Sequence, residues 1–108
     1  MERLSFTLEC GGRRVRGSAP YALVGVVASG NLEVLVERGE GGAGCVVEID
    51  TNRPGFAEAW GAVLARFAEE YDLSGFRITI HDAGAVPAVV TLRLHQAVEE
   101  LAEEPDEE

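Results

Sequence analysis

Ser29 lies in Ala28-Ser29-Gly30-Asn31, the break between two apolar, β-branched runs, and offers a hydroxyl there. Gly and Asn both tolerate the positive φ of a tight turn, so the serine belongs beside a hairpin tip with its hydroxyl in solvent. No G-x-S-x-G elbow surrounds it, which leaves a hydrolase nucleophile poorly supported, and serine is also an ordinary turn residue. His81-Asp82 is the one pair resembling acid–base machinery, because imidazole titrates near neutrality and a carboxylate can orient it. Consecutive residues on a strand point to opposite faces, however, so a structural role at a turn is the favoured reading of this pair. His95 has polar neighbours on an expected helix and reads as exposed. Arg13, Arg14 and Arg16 are close enough to hold a phosphate, but a solvated loop is the stronger account. Arg38–Gly44 is glycine-rich yet lacks the Gly-Lys-Ser/Thr ending of a phosphate-binding loop, and reads as a hairpin connection. Cys10 and Cys45, without clustered histidines, suggest reduced thiols and neither a metal site nor a disulfide scaffold.

Positioning these residues requires one small domain. The 108 residues suffice for a single modest core, expected over residues 1–102 with an acidic tail at 103–108. Nineteen acidic against nine basic residues give a formal net charge of −10. An anionic domain disfavours nucleic acid or an anionic membrane as partner and suits a basic protein surface. No apolar run approaches the roughly 18 residues of a membrane span. The opening MERLSFTLEC shows no basic leader and apolar stretch, so a cytoplasmic location is expected.

Leu4, Phe6 and Leu8 alternate with polar residues and predict a half-buried strand over 3–9. Tyr21–Glu37 predicts a hairpin around Ser29, and Cys45–Asp50 a further strand that completes an antiparallel meander. Thr51-Asn52-Arg53-Pro54 resembles a helix start, with cap-type side chains before Pro. Phe56, Trp60, Val63, Phe67 and Tyr71 then recur at helical spacing and predict one aromatic face packed on the sheet, in preference to a ligand platform. Phe76–His81 alternates as another strand, and Gly84 is expected to supply an unusual φ in the turn after it. Val90, Leu94, Ala97, Val98 and Leu101 form the stripe of a second helix opening after Pro87. The order predicts an α+β fold, an antiparallel sheet with two amphipathic helices packed on it.

Two stretches together resemble the acyl-carrier (δ) subunit of the biotin-independent malonate decarboxylases. One is Val26-Val27-Ala28-Ser29-Gly30-Asn31-Leu32-Glu33-Val34-Leu35. The other is Ile80-His81-Asp82-Ala83-Gly84-Ala85-Val86-Pro87, followed by Val89–Leu94 and the Glu99-Glu100 helix end. The likeness spans most of residues 4–102 and includes the helix bearing Trp60. The citrate lyase γ subunit, also an acyl carrier, is a more distant relative with a similar serine site and Asp-x-Gly-Ala turn. The family commonly has Asp where this chain has Asn31, and an aromatic where Ala83 stands.

The resemblance implies an α+β fold and not the all-helical acyl-carrier fold. It implies a non-catalytic carrier whose Ser29 holds 2′-(5″-phosphoribosyl)-3′-dephospho-CoA through a phosphodiester, for conversion of malonate to acetate and carbon dioxide. The implied partners are the transferase (α) and decarboxylase (β, γ) subunits and a prosthetic-group loading enzyme. The alternatives are a citrate-lyase-type carrier, a regulatory or interaction domain in which Ser29 is an ordinary turn residue, and an enzyme using His81 and Asp82.

Overall fold

Period-two alternation writes the strands and a helical stripe writes each helix. The structure, a computed structural model, describes residues 2–15, 17, 19–25, 32–39, 44–85 and 87–102. In chain order the elements are β1 (Glu2–Leu8), β2 (Arg13–Arg14), β3 (Tyr21–Val24), β4 (Leu32–Glu37) and β5 (Cys45–Thr51). They continue as α1 (Ala57–Glu70), β6 (Tyr71–Asp72), β7 (Arg77–Asp82) and α2 (Pro87–Ala102). The acidic tail expected at 103–108 lies outside the described residues, as does Arg16.

The main sheet runs β1-β5-β7-β4-β3, with β2 and β6 forming a small separate pair. The α+β class and the two helices on a sheet stand as expected, but the sheet is mixed, not wholly antiparallel. β1–β5, β3–β4 and β4–β7 are antiparallel, whereas β5 and β7 run parallel. The connection from β5 to β7 passes through α1, and a helical crossover returns the chain in its starting direction. The expected meander is corrected for the same reason: β7 lies between β4 and β5, so those two strands are not neighbours. The chain leaving β4 crosses the start of β7 at very close range. A Cβ on Gly39 would lie 1.7 Å from the Gly75 carbonyl oxygen, and the Gly75 N–H donates to the Gly44 carbonyl at 2.7 Å.

Helices cover one face of the sheet. Val34, Val36, Val47, Ile49, Ile78 and Ile80 point into the core, where Leu64, Phe67, Leu94 and Leu101 meet them. Each such side chain contributes roughly 1.5–3 kcal/mol of burial. The stripe read for α2 is buried throughout, from Val90 to Leu101. That of α1 is displaced, its buried residues being Trp60, Leu64, Phe67 and Ala68. Phe56 precedes the helix and stays 46 % exposed, while Tyr71 belongs to β6. α1 also starts later than the Thr51–Pro54 signal, because Thr51 ends β5, its hydroxyl is engaged across the sheet, and Gly55 turns at φ 91°. Gly61 leaves room for the Phe6 ring, whose Cε1 would stand 3.5 Å from a Cβ at that position.

His95 is half-buried, not simply exposed, and ties the two helices together. Its Nδ1 lies 2.8 Å from the Thr91 carbonyl oxygen and its Nε2 2.7 Å from Glu70 Oε1 on α1. Phe67 and Tyr71 meet its ring edge-on. Both acceptors lack protons, so only the imidazolium satisfies both nitrogens. Burial opposes that charge, but the Thr91 carbonyl and the Glu70 and Glu99 carboxylates outweigh it and hold the pKa above its ordinary 6.5. A raised folded-state pKa stabilises fully below the unfolded value and progressively less as pH rises through the folded one. NMR titration of His95 is therefore expected to give a midpoint above 6.5 that falls in Glu70→Gln. Stability is expected to decline from about pH 6.5 upward. A midpoint unmoved by Glu70→Gln would remove the pair as the cause.

Candidate functional site

The two motif stretches meet at one end of the sheet. β4 opens at Leu32, whose cross-strand partner is Asp82, the last residue of β7. Opposed residues of this kind have Cα atoms about 5 Å apart. On the other side Asp82 is paired with Thr51, the last residue of β5. Leu32, Thr51 and Asp82 are all buried, so the three side chains share the helix-covered face. Residues 26–31, with Ser29 among them, lie outside the described residues, but both feet of their connection are placed. The leading foot is Gly25, at φ 91°, where a Cβ would stand 2.1 Å from the Leu32 carbonyl oxygen. Only glycine allows the two strands to draw together there. The same imaginary Cβ would lie 3.2 Å from Arg93 Cδ and 3.3 Å from its Nε, so an α2 guanidinium side chain lies along the foot of the Ser29 connection.

His81 and Asp82 are not brought together. The His81 side chain is exposed on the open face, its Nδ1 3.7 Å from Asp50 Oδ2. Asp50 in turn accepts from Arg3 Nε at 2.8 Å, and this bond holds its carboxyl below the usual carboxylate range. Asp82 points the other way and organises the turn after β7. Its Oδ1 accepts the N–H groups of Gly84 (3.1 Å) and Ala85 (2.9 Å), and its Oδ2 accepts the Thr51 hydroxyl at 2.8 Å. The Thr51 oxygen accepts the Arg53 N–H at 3.0 Å. Thr51 and Asp82 thereby satisfy each other where an unpaired polar group would be costly. Gly84 has the positive φ expected of it, 107°, and its missing Cβ lets Arg53 Nη1 approach to 3.3 Å of that position.

Above this turn opens a pocket of about 250 Å³ between the starts of α1 and α2. Trp60, Val63 and Val90 give it apolar walls, Asp82 and Ala85 its floor, and Arg53 stands at its edge over the exposed Phe56 ring, 5.6 Å from the centroid. Sequence reading missed Thr51, Arg53 and Arg93 as parts of this region. Their association follows from the parallel β5–β7 register and from the α2 crossing, which no local signal encodes.

The remaining candidates supply no competing centre. Cys10 and Cys45 are free thiols, and burial, assisted by Cys10, pushes Cys45 up to about 12, so it stays protonated and inert. Among the described residues no three His, Cys, Asp or Glu side chains gather as a metal site requires. No described helix is long and apolar enough to cross a membrane. Arg13 and Arg14 pair with Tyr71 and Asp72 as β2 and β6, a backbone role the loop reading did not foresee.

Comparison with known proteins gives one family. The family model for the malonate decarboxylase delta subunit (MdcD) matches residues 20–101. A malonate decarboxylase acyl carrier protein of Xanthomonas campestris pv. campestris (strain B100) is 52 % identical over 101 residues, covering 94 % of this chain and 95 % of that one. The protein of the same description from Burkholderia cepacia is 50 % identical over 102 residues, covering 94 % and 92 %. Among solved structures, a chain of a Pseudomonas malonate decarboxylase hetero-tetramer in complex with malonate superposes with a TM-score of 0.74 at 40 % identity, covering 94 % of this chain and 99 % of that one. By its match to that family model over most of its length and to these relatives, the chain belongs to the malonate decarboxylase delta-subunit family, the non-catalytic acyl-carrier component of that enzyme.

Proposed function

We propose that this carrier holds its acyl group on 2′-(5″-phosphoribosyl)-3′-dephospho-CoA, joined to Ser29 by a phosphodiester, and serves the conversion of malonate to acetate and carbon dioxide. The observation that carries the reading is the foot of the Ser29 connection. Gly25 at that foot draws against the Leu32 carbonyl with Arg93 Cδ and Nε beside it, so a cationic side chain stands next to the connection that bears the serine, as suits an attached anionic phosphodiester. When attached, the group supplies a thiol on which acetyl and malonyl are carried as thioesters. This chain's part is to present the serine hydroxyl on a connection rooted in two paired strands, so that a loading enzyme can enclose it. Asn31, where the family commonly has Asp, keeps a turn-forming side chain and leaves the hydroxyl untouched. The transferase and decarboxylase subunits supply the reacting groups and the oxyanion stabilisation. A net charge of −10 suits partner surfaces that are basic, and the carrier works in the cytoplasm on this reading.

The test is peptide mass spectrometry after incubation with the loading enzyme and its cofactor precursor. The adduct is expected on the peptide containing Ser29 and on no other. An adduct on a peptide lacking Ser29, or no adduct at all, would overturn the assignment.

A further inference from the structure

We propose that the pocket beside Trp60 is a resting site for the acyl-thioester end of the arm carried on Ser29, with Arg53 at its rim favouring acyl groups that end in a carboxylate. This inference rests on the attachment at Ser29 argued above.

Two independent contacts lead from the serine connection to the pocket. Leu32, three residues after Ser29, is the strand partner of Asp82, which lines the pocket floor. Gly25, four residues before Ser29, adjoins Arg93, and Arg93 lies one helical turn from Val90, which lines the pocket wall. Residues three apart on a helix are neighbours on its surface. The Leu32 foot is thus one strand partner from a residue that lines the pocket, and the Gly25 foot is linked to it through Arg93 and the neighbouring turn of α2.

Size and chemistry select which part of the arm fits. At about 250 Å³ the pocket is smaller than sites for drug-sized ligands, which run from roughly 300 Å³ upward. That size suits a short acyl thioester and its cysteamine segment better than the nucleotide end of the arm. The walls are apolar side chains of α1 and α2, which suit a thioester sulfur and methylenes. The Asp82 carboxylate is already engaged by three donors and presents no demand to a ligand. Arg53 is the cation at the rim, held by its N–H on Thr51 and lying over Phe56. A malonyl group carries a terminal carboxylate that such a guanidinium recognises, and an acetyl group does not. Seating the thioester there withholds it from water between encounters with partner subunits.

Trp60 provides the readout, because it is the chain's only tryptophan and lines the pocket. The isolated carrier is compared in three forms, unloaded, acetyl-loaded and malonyl-loaded, with loading on Ser29 first established by peptide mass. If the arm occupies the pocket about half of the time, acrylamide quenching of Trp60 falls about twofold on loading. The malonyl form is expected to be the better protected. In Arg53→Gln the advantage of malonyl over acetyl, about two- to fivefold in the seating equilibrium constant for an exposed ion pair, is expected to vanish while loading stays complete. Complete loading with quenching unchanged from the unloaded chain would overturn the pocket assignment and leave the attachment at Ser29 intact. Protection that is equal for acetyl and malonyl in the wild type would overturn the role of Arg53. Failure to load Ser29 would remove both this inference and the proposed function.

Discussion

Ser29→Ala is expected to leave the fold intact and to abolish malonate turnover in a reconstituted complex. The sequence pattern predicts an exposed turn for Ser29, where a serine contributes little to stability, so the urea midpoint should shift by less than about 0.5 kcal/mol equivalent. The loss of function should nevertheless be complete, because neither described serine can stand in and Ser18, just before Ala-Pro, lacks the flanking apolar runs. Ser5 lies on β1, the edge strand at the opposite side of the sheet from the β3–β4 hairpin. Ser74 precedes β7, at the other end of that strand from Asp82, and its hydroxyl donates to Asp72 Oδ1 at 2.6 Å. Ser18 lies outside the described residues, in the connection that leads to β3. Residual turnover above that of a complex lacking the carrier would show that a second residue accepts the arm. A folded Ser29→Ala chain that incorporates no precursor, beside a wild type that does, is the predicted pair of outcomes.

Asp82→Ala is expected to be the most destabilising single change at the site, by about 3 kcal/mol. Three donors lose one acceptor at once: the hydroxyl of fully buried Thr51 and the N–H groups of Gly84 and Ala85. A hydrogen bond to a charged group is worth about 1.5–3 kcal/mol, and a buried donor left unpaired forfeits its desolvation cost as well. Water can reach Gly84 and Ala85, which are only half-buried, and this keeps the total below the sum of the three. Asp82→Asn should cost only about 1 kcal/mol, because an amide oxygen still accepts the two backbone N–H groups and the Thr51 oxygen can accept from the new NH₂. Denaturant midpoints of the two variants decide the matter. Equal losses would mean that charge, not hydrogen bonding, matters at this position. An unchanged Asp82→Ala midpoint would remove Asp82 as the organiser of the turn.

What the sequence reveals and what it hides follow from how far each signal reaches. Alternation and helical stripes are local, so β1, the β3–β4 hairpin, β7 and the buried face of α2 are legible residue by residue. The opposite directions of His81 and Asp82 follow from strand geometry alone, and the structure bears them out. Non-local pairing is the hidden part. Arg38–Gly44 looks like a hairpin turn because it is short and glycine-rich, yet the strands on its two sides, β4 and β5, are separated by β7. The α1 start lies beyond its sequence signal because Thr51 only resembles a capping residue, and the parallel strand beside it shows that its hydroxyl is engaged by Asp82. The motif spanning Ile80–Pro87 and the one around Ser29 are about fifty residues apart in sequence, and nothing between them announces that Leu32 and Asp82 are opposite one another.

The position of β7 in the middle of the sheet has a consequence for synthesis. Residues 77–82 are made in the last third of the chain, yet they separate β5 from β4 and pair with both. Until they emerge, the β1–β5 pair and the β3–β4 hairpin each present an unpaired edge, and neither can close the core. Chains emerge at roughly 5–20 residues per second, so these edges stand open for seconds. Pairings so distant in sequence also form slowly. The floor beneath the serine connection does not exist in a nascent or truncated chain, because Asp82 and α2 are absent from it. On the proposed attachment at Ser29, a loading enzyme that gripped both motif stretches would meet its substrate only in a finished molecule, and the modification would certify completed folding.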